Sequence, residues 1–367
     1  MTDDFSGEIC PPSKFNYSSP ESHGVNRTIL EGITPYLKRY FPAYSHIIII
    51  KNGSMIFDVI NEKSYEQIIS KTTKLLGLII SRALRQPSLT FIDKINDTYN
   101  LRSVTKSIIS LLVGISIDKG LLHSLDEKVH SILSLDVRDH DGKEQITIRH
   151  LLEMTSGLAS IENFSGAKNM LLSNGDWVDF IWKTKTTSAP GEKFEYNTAN
   201  THLLSAVISK VSGISTLEFA KRYLFDPLGI KEMIWEKDKK GIYFGGGNLF
   251  MTPYDMAKIG YLCLHQGTWN GVTVLSNEWI QKMLVPYREC MYEYRYGFLW
   301  YVKEEECEIS HQKHITYSAS GAGGQKVFII PDMDIVMVAV SKCDMFQDNS
   351  YFIDRVIGKF VFPADLQ

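Results

Sequence analysis

Signals for nucleic acid, membrane or metal are scarce in this chain of 367 residues. The formal net charge is −3, and no dense stripe of lysine and arginine interleaves with aromatics, so the electrostatic footprint of a polyanion binder is missing. Small molecules are the expected partners. No stretch reaches the roughly eighteen uninterrupted apolar residues that a membrane-crossing helix needs. The five cysteines, Cys10, Cys263, Cys290, Cys307 and Cys343, are scattered, odd in number and without a Cys-x-x-Cys pair. Neither a disulfide framework nor a zinc site is suggested. Gly245 to Gly247 lack the Gly-Lys-Ser/Thr that a phosphate loop requires, so no metal and no cofactor is expected. The start, Met-Thr-Asp-Asp-Phe-Ser-Gly-Glu, is acidic and lacks the basic and apolar regions of a secretory signal; a cytoplasmic location is the expectation that follows.

With 44% hydrophobic and 22% charged residues the chain is ordinary globular protein, enough for one large domain or two moderate ones. The first 25 residues, rich in Ser, Pro and Asn, read as an extended arm. Residues 45 to 60 are the clearest hairpin: two β-branched runs around Asn52-Gly53, a pair that fits a type I′ turn. From Tyr65 to Leu84 apolar residues recur at near-helical spacing, predicting a helix that packs on the domain or forms a contact between subunits. Helical patterns dominate from Ser103 to Met251, among them Thr147 to Met154, Trp177 to Thr184 and Ala199 to Ser212. Strand signals return in Gly297-Phe-Leu-Trp-Tyr-Val, Lys326 to Ile330 and Asp334 to Ser341, and a helix from Tyr351 to Phe362 can cover them. Lys303 to Glu306 reads as a solvated turn.

Strands at both ends with helices between predict an α/β (α+β) fold, an antiparallel sheet flanked by helices with a mostly helical inserted domain. The boundaries expected are 26–102 with 256–367 for the sheet domain, including a helical insertion at 62–95, and 103–255 for the helical one. Active-site groups would meet in the cleft between them.

Four times a serine stands three residues before a lysine. Ser116/Lys119 falls at a helix C-terminus, where the dipole suits no oxyanion. Ser165/Lys168 and Ser310/Lys313 lie in polar stretches that read as loop. Only Ser103-Val104-Thr105-Lys106 opens a long apolar run, so that the amine can reach the hydroxyl on one helix face near free backbone N–H groups. Such a pair needs a proton path and a place for an acyl oxygen. Pro190-Gly-Glu-Lys-Phe-Glu-Tyr196 is a turn that can present a phenol to a cleft, and Ser318-Ala-Ser320-Gly321-Ala322-Gly-Gly324 puts small residues before a strand, where a ligand can approach the backbone closely.

Ser103-x-x-Lys106, then Tyr196 with asparagines beside it, then Ala319-Ser320-Gly321 before a terminal hairpin together resemble the serine β-lactamase and penicillin-binding protein superfamily, most of all its class C and esterase branch. Arg149-His-Leu-Leu-Glu-Met-Thr-Ser-Gly-Leu158 and the segment Gly245 to Met256 extend the likeness, which runs from about Ser45 to the C-terminus. The resemblance implies a β-lactamase/transpeptidase-like fold and an acyl-enzyme on Ser103. It implies further that Lys106 helps to activate the serine, that Tyr196 is the general base that later protonates the leaving group, and that the N–H groups of Ser103 and Ala322 bind the oxyanion.

Two departures bear on substrate. The family's lactamases carry Lys-Thr-Gly at the third motif, where the lysine helps to bind an acidic group; here Ala319 stands in its place, and Ser320 and Gly321 follow. The asparagine usual two residues after the tyrosine is replaced by Thr198, leaving Asn200, or less naturally the helix-capping Asn197, for a carboxamide role. The reading is a serine hydrolase of a small ester or amide. Its alternatives are an acyltransferase or D-amino-acid amidase on the same site, and a penicillin-binding sensor that does not turn over. His150 and Glu153 share an amphipathic helix and are expected to be structural, while Trp300 and Tyr296 line a pocket or pack the sheet.

Overall fold

The computed structural model of the chain describes residues 15–61, 92–137, 141–162, 166, 169–170, 173, 175–290, 293–342 and 351–365. The expected helix from Tyr65 to Leu84, with the subunit contact assigned to it, lies outside the described residues, as does the Ser165/Lys168 pair. Part of the N-terminal arm is described, and it is bound to the body. Phe15 is buried, Tyr17 bridges to Met55, and residues 20–23 make a 3-10 turn.

The hairpin forms strands β1 (Tyr44–Lys51) and β2 (Ser54–Ile60), and Asn52 and Gly53 take the positive φ angles of 48° and 73° that the type I′ turn requires. Late in the chain come β3 (Arg288–Glu289), β4 (Arg295–Tyr296), β5 (Tyr301–Glu306), β6 (Lys313–Gly321), β7 (Gln325–Ile330) and β8 (Ile335–Ser341). All eight join one antiparallel sheet in the order β2-β1-β8-β7-β6-β5-β4-β3. Early and late parts of the chain therefore meet in the sheet, one strand in from its β2 edge, where β1 pairs with β8 from Tyr44 opposite Ser341 to Lys51 opposite Ile335.

Helices cover both faces. Those used below are α1 (Ile33–Tyr40), α2 (Val104–Asp118), α3 (Thr198–Ser212), α4 (Pro253–Leu264) and α5 (Tyr351–Val356). Successive strand residues point to opposite faces, so Ile48, Ile50, Val336 and Val338 enter the core that holds α2, α3 and α4. Ile47, Ile49, Ile335 and Met337 enter a second core under α1 and α5. The continuous apolar runs of β1 and β8 are what burial on both faces demands. The mixed architecture expected from strands at both ends is the one observed.

Two local expectations fail. Gly297 to Trp300 are not strand: Leu299 takes a φ of 63°, and Phe298, Leu299 and Trp300 all turn into the core, so the strand begins only at Tyr301. Lys303 to Glu306 are not a solvated turn but the body of β5, paired from Lys303 opposite Thr316 to Glu306 opposite Lys313. Hydrogen bonding to β6 and a Lys303–Glu305 ion pair at 2.9 Å let this charged run stay extended.

Gly260 allows α4 to lie against the sheet. A Cβ there would meet Val336 Cγ1 at 2.6 Å and Val327 Cγ1 at 2.8 Å, both on buried side chains. Gly260→Ala should therefore cost about 1–3 kcal/mol of unfolding free energy in urea, as overpacked cores do. An unchanged midpoint would mean that the helix has room the packing does not show.

Candidate active site

The site begins at a strained turn. Leu101 N–H bonds Leu249 O at 2.8 Å, and Arg102 then adopts a φ of 50°, held by Arg102 N–H to Asn100 Oδ1 at 3.0 Å and by its guanidinium on Asp93 at 2.5 Å. A left-handed arginine is disfavoured, and the bonds around it stabilise the bend. The chain leaves it at Ser103, the N-cap of α2. The Ser103 side chain makes no capping bond, so its hydroxyl is available to Lys106 three residues on.

Lys106 Nζ lies 2.9 Å from Ser103 Oγ and 2.8 Å from Gly246 O. It is 2% exposed, and burial lowers its pKa to about 8, with the Glu162 carboxylate opposing the fall. The loop that supplies the carbonyl depends on glycine. A Cβ on Gly245 would stand 2.0 Å from Thr201 O, and one on Gly246 would stand 2.0 Å from Thr198 Cγ2, so the loop can touch the first turn of α3 only without side chains.

Tyr196 ends the run that enters α3. Lys106 Nζ sits 4.9 Å from its ring centroid, which brings the phenol to the Ser103–Lys106 pair. Burial first, and Glu162 second, push the phenol well above its usual range, so it holds its proton. The serine, lysine and tyrosine picked out by sequence thus meet at one point.

The third motif adjoins them. A Cβ on Gly321 would lie 2.4 Å from Leu101 O and 3.0 Å from Arg102 Cβ, which puts the end of β6 directly against the turn into Ser103. Ser320 is half-buried on the same strand end, and Ala322 is exposed just beyond it. Among the described residues, the backbone N–H groups of Ser103 and Ala322 donate to no other group. Ala319 points the other way, into a small apolar cavity with Leu101, Val104, Ser107 and Trp300.

The two asparagines are not brought to the serine. Asn197 caps α3, accepting from Ala199 N–H at 3.0 Å and donating to Leu158 O at 3.0 Å. Asn200 is buried, accepts from Ser156 Oγ at 2.6 Å and faces the Met154 sulfur. Thr198, between them, is the side chain that packs on Gly246. His150 closes a capping box with Thr147, and Glu153 pairs with Arg288 at 2.9 Å, so both serve the frame. Trp300 is core. Tyr296 is buried, with its ring at 81° to that of Tyr196 and 6.4 Å from it.

Sequence reasoning missed Glu162. Glu162 Oε1 accepts from Thr198 N–H at 2.5 Å at the start of α3, and Glu162 N–H reaches Ser160 Oγ, which donates to Tyr196 O at 3.3 Å. A carboxylate at a helix N-terminus is favourable, but no local spacing links residue 162 to 198. Only the fold joins them.

Residues 96–351 match the family described as Beta-lactamase. The chain belongs to that family. Its fold is that of the β-lactamases and penicillin-binding proteins. A curated relative, 6-aminohexanoate-dimer hydrolase from Paenarthrobacter ureafaciens, is 24% identical over 263 residues, 67% of this chain and 66% of that protein. The chain thus spans just under two thirds of that relative's length. Solved structures of like fold include an octameric penicillin-binding protein homologue from Pyrococcus abyssi, with 21% identity, a TM-score of 0.65 and coverage of 91% of this chain and 77% of that one. Another is EstCE1, a hydrolase with promiscuous acyltransferase activity, with 16% identity, a TM-score of 0.66 and coverage of 93% and 99%. Among the described residues no single helix is long and apolar enough to cross a membrane.

The Glu162 charge favours the protonated form of Lys106, so Glu162→Gln should move the lysine titration below about pH 8. The shift can be followed by NMR of protein carrying ¹³C-labelled lysine. A midpoint that does not move would show that the carboxylate has no hold on the site.

Proposed function

We propose that this hydrolase cleaves a small ester or amide through an acyl-enzyme on Ser103, in the cleft between the sheet unit of residues 26–102 and 256–367 and the helical unit of 103–255. One observation carries the proposal: Lys106 is buried, among the described residues no carboxylate is in ion-pair contact with it, and it directs its nitrogen at a serine hydroxyl 2.9 Å away. A purely structural lysine gains little from such a place, because burial costs its charge and no partner returns it. A base for a nucleophile gains a lowered proton affinity.

The proton states support a particular division of labour. Above about pH 8 the Lys106 amine is neutral and takes the Ser103 proton as Oγ bonds to the substrate carbonyl carbon. The resulting oxyanion is met by the unspent N–H groups of Ser103 and Ala322. Tyr196, still protonated, gives its proton to the leaving oxygen or nitrogen as the scissile bond breaks, and recovers one from the Lys106 ammonium. Water then attacks the acyl-enzyme by the reverse path, releasing the acid and returning a proton to Ser103 Oγ. This assigns the first proton to the lysine, where the family resemblance made Tyr196 the base.

Substrate charge follows from the third motif. With Ala319 turned into an apolar cavity, β6 offers no cation to the cleft at that position, which favours a neutral ester or amide over a substrate recognised by its carboxylate.

Ser103→Ala should abolish hydrolysis of p-nitrophenyl acetate and labelling by a fluorophosphonate probe, read by intact mass. In the unsubstituted protein the rate should rise with pH through about 8, as Lys106 loses its proton. Labelling that survives in the Ser103→Ala protein would end the assignment.

A further inference from the structure

Two segments laced together by hydrogen bonds lie beside the Ser103–Lys106 pair. Asn197 Nδ2 donates to Leu158 O at 3.0 Å and to Ala159 O at 3.2 Å, Ser160 Oγ donates to Tyr196 O at 3.3 Å, and Glu162 Oε1 accepts from Thr198 N–H at 2.5 Å. Residues 158–162 therefore run along 196–198 and end on a carboxylate. Thr198 in turn packs on Gly246, where a Cβ would stand 2.0 Å from Thr198 Cγ2, and Gly246 O lies 2.8 Å from Lys106 Nζ. Through Thr198 and Gly246, the carboxylate adjoins the lysine that faces Ser103.

The helix uses only one oxygen of Glu162. The residue is exposed, and among the described residues no lysine, arginine or histidine is in ion-pair contact with it. A carboxylate is favourable at a helix start. Yet α3 already has a cap in Asn197, whose Oδ1 accepts from Ala199 N–H at 3.0 Å. What Glu162 adds to that cap is a negative charge at the nucleophile.

We propose that Glu162 is a specificity-determining residue: its carboxylate recognises an ammonium group carried by the ester or amide that Ser103 cleaves. The inference rests on the reading of Ser103 as nucleophile and narrows its substrate class. Ala319 removes a reason for an anionic handle, and Glu162 supplies a reason for a cationic one. Such a pair stays hydrated at an exposed carboxylate, so its contribution is modest and falls with salt. A bound cation has a second effect. The Glu162 charge opposes proton loss from buried Lys106, and an ammonium paired with it offsets that charge, so the substrate itself eases the lysine toward the neutral amine that takes the Ser103 proton.

Two isosteric pairs test the charge on either side of the scissile bond. β-Alanine p-nitroanilide is compared with butanoyl p-nitroanilide, in which a methyl replaces the acyl-side ammonium. Acetylthiocholine is compared with 3,3-dimethylbutyl thioacetate, in which carbon replaces the leaving-side nitrogen. In the full-length protein near neutral pH, Glu162→Gln should lower kcat/KM for the cationic member of at least one pair about fivefold relative to its neutral partner, the scale of an exposed ion pair. The pair that responds tells which side carries the charge. A general change in Lys106 or in the folded fraction acts on both members and leaves the ratio unmoved. Equal losses within both pairs would overturn the role of Glu162 while leaving the nucleophile in place. Should none of the four turn over, the comparison is read from protection of Ser103 against the fluorophosphonate probe, by choline and β-alaninamide against 3,3-dimethylbutan-1-ol and butanamide; protection that Glu162→Gln leaves unchanged overturns the role equally. If instead Ser103→Ala hydrolyses the substrates at the unsubstituted rate, it is the reading of the nucleophile that falls.

Discussion

Lys106 sits in the first turn of α2, where its ammonium loses most of its water and faces the positive end of a helix dipole. Both effects favour the neutral amine. What holds the lysine there is a set of weak partners: one hydroxyl, one carbonyl, one aromatic face and, through the field alone, the Glu162 carboxylate. Each partner comes from a different segment. The carbonyl needs two glycines pressed on α3, the ring needs the Asn197 cap that starts α3, and the hydroxyl needs the left-handed turn at Arg102. Loss of any one would leave a buried cation short of a contact it cannot recover from water.

The sheet supplies the fixed reference for these segments. Because β1 pairs with β8, early and late parts of the chain are locked into one sheet, and β6 is held on both sides by β5 and β7. Gly321 rests on Leu101 and Arg102 at a distance only glycine permits, so the strand that offers Ala322 N–H and the turn that offers Ser103 move as one piece. The groups proposed for catalysis, from four distant stretches of chain, can then keep the close tolerance that acyl transfer would demand. Rigidity here is a property of the sheet pairing and not of any single contact at the serine.

Much of this was legible in the amino-acid order where the signal is local. The Asn52-Gly53 turn, the Ser103/Lys106 spacing and the helix from Ala199 to Ser212 each lie within one element, and short-range sterics decide them. The reading failed where a tertiary contact overrides a local preference. The charged residues Lys303 to Glu306 became strand because β6 pairs with them, and Gly297 to Trp300 left the strand because Phe298 and Trp300 are worth more in the core. Glu162 stands 36 residues from Thr198 in sequence, and only the folded chain brings it to the start of α3. Asn200 was a plausible carboxamide by position along the chain, but the helical phase of α3 turns its amide to Ser156.

Glu162 sets a tension that bears on what the cleft can admit. Its carboxylate anchors Thr198 at the start of α3, which helps to place Tyr196, yet the same charge keeps Lys106 protonated and Tyr196 neutral. On the proposed reading neutral Tyr196 is useful, since an acid must hold its proton until the scissile bond breaks. Protonated Lys106 is not, since a base must first lose one. The proposed roles would therefore favour leaving-group protonation at the expense of nucleophile activation near neutral pH. On the proposed reading, that balance suits substrates whose bond cleavage, more than whose attack, is difficult.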